Sequence, residues 1–577
     1  MKKIASFLLL ALALTGCYKD KGNYEYTLDT MNEILKVNFY PAVENKVIEV
    51  QQALTEDDTI RVVKAFVEQS LAKNLDNLEF YWCRSYVNEQ GKAVKDTIRT
   101  KDSLEVKLPV GKPMSYDIFL EIYDTSTDLS HYSKFKISTR PLFKNSLFVL
   151  HGSEGERKLG NIEVIGSETK VYTDVKAVTR DENHYEDVTG LWYTTYAYVP
   201  EGGSYAFANR LVAYGDNDVS KVYNPHGMTL MYSAENMLKS SQNDEFIYRR
   251  TMQTGSSDIP NMYKLVLTEN GEVYAGNHVY VLYSLGAGCV NNPDIPHQSD
   301  YNITAAAITS NRYLMWDAKH GRFLYAGKVD GGFVYDEVGS TNENLVSQQA
   351  MLDAYVEFDG LQKSPVTMTA VLGYVNYRDN YDQQNAYFIF KDQTTGDYYR
   401  YELKKLDNSK ARARRNANRA NEEEKNIAMY SIESEKKLVG LTPTDMSTIT
   451  YNSYFTTSTL FFAEGNTVYR YAVGNGDKFA VYEAPEGYHV TKMKFRTEDS
   501  SNQNGDLGLY LDIVLFNGKN GAIAEIKFTN ASDVDTDYPA LLYEKDTQSG
   551  NEERWGEIKD IQFVYDYEYK KPDHWTE

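Results

Sequence analysis

Leu460-Phe461-Phe462-Ala463-Glu464-Gly465-Asn466-Thr467-Val468-Tyr469-Arg470-Tyr471 reads as an apolar run, a glycine turn and a second, aromatic run. Aromatic and β-branched side chains suit a pleated strand, and glycine supplies the backbone freedom of a tight turn. The same grammar recurs in Lys264-Leu265-Val266-Leu267 before Gly271, with Val273-Tyr274 after it. It recurs again where Tyr387-Phe388-Ile389-Phe390 and Tyr398-Tyr399-Arg400-Tyr401 flank Gly396. Candidate turns fall at Gly155, Gly203, Gly271, Gly321, Gly396, Gly465 and Gly521, at intervals of 48 to 75 residues. Each interval has room for about four short strands, which with loop insertions is the repeat of a β-propeller blade. The expectation for residues 145–577 is therefore a propeller of about seven blades in an all-β chain. Consecutive sandwiches would be punctuated in the same way, and they stand as the alternative.

Upstream, residues 35–141 read as a small immunoglobulin-like β-sandwich. Leu78, Phe80 and Trp82 alternate with Glu79 and Tyr81, Leu104, Val106 and Leu108 with Glu105 and Lys107, and Tyr116, Ile118, Leu120 and Ile122 define one more face. Period-two alternation of this kind buries one face of each strand, and a central tryptophan suits such a core. The chain's tyrosine usage, 48 against 23 Phe and 5 Trp, fits the same all-β reading.

The first 16 residues have a different logic. Met1-Lys2-Lys3, an apolar run from Ile4 to Leu14 and Leu14-Thr15-Gly16-Cys17 have the anatomy of an export signal cleaved before a cysteine. The run is shorter than the roughly 20 residues of a membrane span. Residues 1–16 are thus expected to be a leader, Cys17 the site of lipidation, and residues 17–34 a tether. The net charge of −21 offers no basic nucleic-acid footprint. With Cys17 acylated, Cys83 and Cys289 remain, too few for a disulfide framework.

Taken together, Cys17 followed by Tyr18-Lys19-Asp20-Lys21-Gly22-Asn23-Tyr24, Phe80-Tyr81-Trp82, and Ser146-Leu147-Phe148-Val149-Leu150 resemble the PKD-like lipoproteins of Bacteroidetes nutrient-uptake loci. The resemblance covers the N-terminal third best. It implies an accessory role beside a SusC/SusD-type outer-membrane importer, at the cell surface. One departure bears on that last point: several acids after the cysteine would favour surface export, and here Asp20 stands between Lys19 and Lys21.

Catalytic patterns are missing from the sequence. There is no His-Glu-x-x-His, and Gly152-Ser153-Glu154-Gly155 lacks the spacing of a nucleophile elbow. Gly474-Asn475-Gly476 has no phosphate-loop lysine after it, and Asp533, Asp535 and Asp537 lack the glycine and glutamate of a calcium loop. No metal, cofactor or catalytic residue is assigned. A carboxylate pair assembled from distant loops, as in a propeller hydrolase or lyase, is the enzymatic alternative, and a structural or adhesion protein is another. Two aromatic groups are the candidate glycan- or peptide-binding residues. Trp192, Tyr196 and Tyr198 share strand parity; Tyr374, Tyr377, Tyr381 and Tyr387 are interleaved with Asn376, Arg378, Asp379 and Asn385. A charged insertion near residues 408–426, with Lys410, Arg412, Arg414, Arg415 and Arg419 before Glu422-Glu423-Glu424, cannot bury a face and is expected to be exposed.

Overall fold

The computed structural model describes most of residues 31–564, and the longer stretches outside the description are 240–247, 255–262, 285–301, 328–351, 357–366, 376–384, 406–429 and 497–507. The chain divides into two compact units, Met1–Leu142 and Phe143–Glu577. Both are built of strands.

The first unit is a two-sheet sandwich. Strands Ile34–Tyr40, Ile60–Gln69 and Ser103–Lys107 form one sheet; Val47–Gln51, Leu129–Arg140, Ser115–Asp124, Leu78–Val87 and Ala93–Thr100 form the other, in that order. Every apolar residue of the three alternating runs named above is buried, and all of them join one core. Trp82 lies at its centre, edge-on to Phe39 and Phe135 at centroid distances of 6.3 and 6.4 Å. Alternation therefore fixed which face went in, because a one-residue slip would have put Glu79 and Tyr81 there instead.

One end of the sandwich is tied by a polar knot. Asp124 accepts hydrogen bonds from the Asn32 and Asn77 amides and from Ser126, while Asn32 Oδ1 accepts from the backbone of Leu71 and Ala72. Burial pushes the Asp124 carboxyl up, but the donors from Ser126, Asn32 and Asn77 prevail and hold it at about 2. Asn32 thus secures the chain just before the first strand begins.

Among the described residues the second unit contains seven successive sheets. Blade 2 comprises Gly190–Tyr198, Ala206–Tyr214, Lys221–Asn224 and Thr229–Ser233. Blade 3 runs Tyr248–Thr254, Tyr263–Thr268, Val273–Asn277 and Leu282–Ser284, with Leu238–Lys239 added in parallel at its edge. Blade 4 has Ile303–Ile308, Arg312–Asp317, Arg322–Gly327 and Leu352–Val356; blade 5 has Met368–Val375, Ala386–Asp392, Tyr398–Lys405 and Tyr430–Lys437. Blade 6 has Thr459–Glu464, Thr467–Ala472 and Lys478–Glu483, its first strand shortened to an isolated bridge between Thr450 and Phe461. Blade 7 has His489–Phe495, Tyr510–Phe516, Gly521–Lys527 and Leu541–Tyr543. Blade 1 is composite: Ser146–His151, Lys158–Ile165 and Glu168–Tyr172 are completed by Ile558–Val564 from the far end of the chain.

This arrangement is a propeller whose ring is closed by strand exchange. Each sheet is itself open, and from blade 4 to blade 7 successive sheets pack face to face. Trp316, Phe323, Phe388 and Phe390 fill the space between blades 4 and 5, Tyr374, Tyr387, Leu460 and Phe462 that between 5 and 6, and Phe461, Phe495, Ile513 and Phe528 that between 6 and 7. Leu460-Phe461-Phe462 is apolar without a break because its strand is buried on both sides.

One of the seven expected turn positions is corrected, and two, Gly203 and Gly271, lie outside the described residues. Gly155, Gly321, Gly396 and Gly465 each lie between the second and third strands of a blade. Gly203 falls in the connection between the first two strands of blade 2, and Gly215 follows the second strand. Gly521 opens a strand; the turn before it uses Gly518, at φ +88°. Gly521 is needed for a different reason, since a Cβ there would fall 2.4 Å from Gly556 O.

Candidate functional site

In a propeller the first and third strands of every blade end on the same rim. That rim receives the end of Gly190–Tyr198 with Tyr198, the end of Met368–Val375 with Tyr374, and the ends of Tyr398–Lys405 and His489–Phe495. The loop carrying Tyr377 and Tyr381 and the charged stretch 408–426 issue from those strand ends, and both lie outside the described residues. Topology thus brings the strand ends with Tyr198 and Tyr374 onto one face, although they are far apart in the chain; Trp192 lies near the other end of its strand.

The buried candidates act as packing surfaces. Tyr374 is 2% exposed, with ring centroids 5.3 Å from its cross-strand partner Tyr387 and 4.8 Å from Tyr451 of blade 6. Its phenol is hydrogen bonded to Arg400 and pushed up to about 12, chiefly by burial. Trp192 is 3% exposed. Neither offers a free ring face to a ligand. Tyr196 and Tyr198 lie in the strand with the expected parity, their side chains outside the described residues. The same is true of Cys17 and Cys289, while Cys83 is a half-buried free thiol.

Outward from Tyr374 the same row of blade 5 turns polar. Tyr374, Tyr387, Glu402 and Ser434 are paired successively across its four strands. Glu402 Oε1 accepts from Asn385 Nδ2 at 2.8 Å and from the Tyr387 hydroxyl at 3.5 Å; Oε2 accepts from Ser434 Oγ at 3.2 Å. The Arg400 guanidinium sits 4.9 Å over the Tyr387 ring. Asn385, Arg400 and Glu402 are half-buried, so a fixed carboxylate, a fixed cation and an amide share one ledge beside the 376–384 loop. Such a set can orient hydroxyls, amides or charges of a polar ligand. Asn385 and Tyr387 belonged to the sequence pattern; Glu402 and Arg400 come from a separate strand, and only strand pairing reveals their place.

A second cluster, unsignalled by any motif, joins blade 7 to blade 1. Lys492, Lys494 and Arg496 alternate with apolar neighbours and face one way. Lys492 Nζ donates to Asp560 Oδ1 at 2.9 Å, and Lys494 Nζ to Gln562 Oε1 at 2.6 Å. Arg496 grips Asp512 through two hydrogen bonds of 3.1 Å and also pairs with Glu525, which accepts from Tyr538 and Tyr543. The guanidinium lies between the rings of Tyr510 and Phe563 at 4.6 and 4.7 Å. Burial pushes the Asp512 carboxyl up against the pull of Arg496. With every partner engaged within the protein, this cluster reads as architecture.

Among the described residues no three His, Cys, Asp or Glu side chains converge in a metal-binding group, and no helix is long and apolar enough to cross a membrane. Asp533 and Asp535 of the acidic turn cap their own loop, accepting from Asn530 Nδ2 and from the Asp537 backbone.

Residues 17–190 match the model of the PKD-like family. The match takes in the sandwich and the first three strands of the second unit. No curated protein matches the chain. Similar solved structures include a quinonprotein alcohol dehydrogenase-like protein from Bacteroides thetaiotaomicron, with 10% identity, TM-score 0.33, and coverage of 93% of this chain and 97% of that one. Another is a post-proline cleaving enzyme from Rickettsia typhi, with 7% identity, TM-score 0.31, and coverage of 65% and 48%. At those scores the likenesses carry no functional weight.

Proposed function

We propose that this chain is a lipid-anchored, non-catalytic binding protein, accessory to a SusC/SusD-type outer-membrane nutrient importer and handling a glycan or peptide ligand. The observation that carries the reading is the PKD-like match beginning at Cys17, the residue that follows the leader-like Leu14-Thr15-Gly16. The Asn385, Arg400 and Glu402 ledge supports it with groups able to orient a polar ligand.

The test has two arms. In cells, Cys17→Ser should move the protein from the membrane to the soluble fraction, and persistent membrane association would refute the anchor. With purified ectodomain, a panel of glycans and peptides is titrated while product release is followed. Glu402→Gln keeps the shape of the ledge and should weaken binding roughly tenfold or more, the worth of a charge-assisted hydrogen bond. Turnover abolished by Glu402→Gln would replace the binding reading with the hydrolase or lyase one.

A further inference from the structure

We propose that the outer face of the three-stranded sandwich sheet rests on the lipid surface to which Cys17 is attached. This inference builds on the lipid-anchor reading. Along Ile60–Gln69 the inward residues Val63 and Ala65 are buried, whereas Ile60, Val62 and Phe66 point outward together with Tyr40 of the neighbouring strand. These four side chains are between 50% and 71% exposed. Soluble sheets normally put polar residues on that parity, so four large apolar groups on one small sheet require an occupant.

Three observations select a bilayer. Tyr40 is directly paired with Lys64, and Lys36 and Lys107 share the same outward parity, giving apolar side chains ringed by lysines as at a membrane interface. Glu68 and Glu105 also lie on this face and Lys64 is paired with Asp102 at 3.1 Å, leaving it close to neutral on a chain whose net charge is −21. Finally, Ile34–Tyr40 is the first strand after Cys17 and belongs to this very sheet. The intervening 16 residues can span at most roughly 60 Å, so an anchor at Cys17 keeps this sheet near the lipid. The opposite sheet is the internal comparison: its outward Phe119 and Tyr132 are exposed too, but they cover each other at 5.5 Å between ring centroids, the Tyr132 hydroxyl donates to Glu121, and no anchor leads into that sheet.

The experiment supplies the tether artificially, so its outcome does not depend on acylation in cells. The mature chain, with hexahistidine in place of Cys17 and with Cys83→Ser and Cys289→Ser, is bound to nickel-chelating vesicles of phosphatidylethanolamine and phosphatidylglycerol carrying brominated acyl chains. An environment-sensitive dye is placed at Val62→Cys or, separately, at Tyr132→Cys. The expected result is at least twofold quenching at position 62 and none at 132, with the quenching at 62 removed by Ile60→Asn plus Phe66→Asn. Equal quenching at both positions, or none at 62, overturns the proposal. Failure of the anchor itself is read separately, from fractionation of the Cys17→Ser protein.

Discussion

At the scale of the residue, His151 shows how a single ring fixes a junction of the propeller. Its Nδ1 accepts the Gly556 N–H at 3.1 Å and its Nε2 donates to Thr173 O at 2.7 Å, so the neutral tautomer is the one that fits. The ring is buried edge-on against Trp555, 5.0 Å between centroids. Burial first, and then the charge of Lys158, hold its pKa below the usual value of 6.5. A histidine whose folded pKa is depressed contributes stability that is present above about pH 6.5 and is lost as pH falls toward the folded value. Melting temperature followed from pH 7.5 to 5 should therefore decline, and His151→Gln should flatten that decline; an unchanged slope in the variant would assign it to other groups. Gly373 makes a comparable point by steric means. The run Ala305-Ala306-Ala307 and Gly373 let the first strands of blades 4 and 5 approach so closely that a Cβ on Gly373 would lie 2.3 Å from Ala306 O. Gly373→Ala should cost roughly 1–3 kcal/mol in urea unfolding, the usual cost of overpacking. A neutral result would mean the two strands can separate freely.

At the scale of the element, the alternating and the continuous apolar runs are the parts of the fold that were legible. Phe80 and Trp82 announced a sheet with one dry face, and Leu460-Phe461-Phe462 one with two, because side-chain burial is written directly into strand periodicity. Turns were less legible, since Gly518 and Gly521 look alike in sequence but serve a positive φ and a close approach respectively. The site was least legible of all. Tyr374 could be named, yet its burial depends on Tyr451 and its polar continuation on Glu402, neither of which is near it in the chain. The reading of Gly465 can be checked in isolation. It sits at φ +61° with nothing within 4 Å of a prospective Cβ, so its requirement is conformational and not steric. Gly465→Asn should be nearly neutral, because asparagine tolerates the left-handed region, while Gly465→Val should lose about 1–2 kcal/mol. Equal losses for the two would mean the turn is governed by something other than φ.

At the scale of the whole molecule, the decisive question is what separates a ring from a row of independent sandwiches. A row would lose only its last member if the C-terminal strand were removed. In the ring, Ile558–Val564 completes blade 1, and Asp560 takes the Lys492 ammonium from blade 7 while its other oxygen accepts the Leu191 N–H from blade 2 at 2.8 Å. Burial would push the Asp560 carboxyl up, but Lys492 and Lys494 prevail and hold it below its ordinary value. Its contribution to stability is thus present above about pH 4 and fades as pH falls through the lowered pKa. Asp560→Ala leaves the Leu191 N–H without its acceptor and the Lys492 ammonium with Lys559 O, and should cost roughly 1–3 kcal/mol. Truncation after Glu557 is the stronger test, because it removes the strand that completes blade 1 together with the Asp560 and Gln562 bonds to blade 7, while the contacts of Asp546, Glu553 and Gly556 with blade 1 stay. The sandwich keeps its own core around Trp82, whereas the blades lose their closure together. Calorimetry of the truncated chain should therefore retain the sandwich transition and lose the cooperative transition of the propeller as a whole. A truncated protein that kept most of the second unit's unfolding enthalpy would show that its sheets fold one by one, and the strand exchange between the two ends of that unit would then have no energetic role.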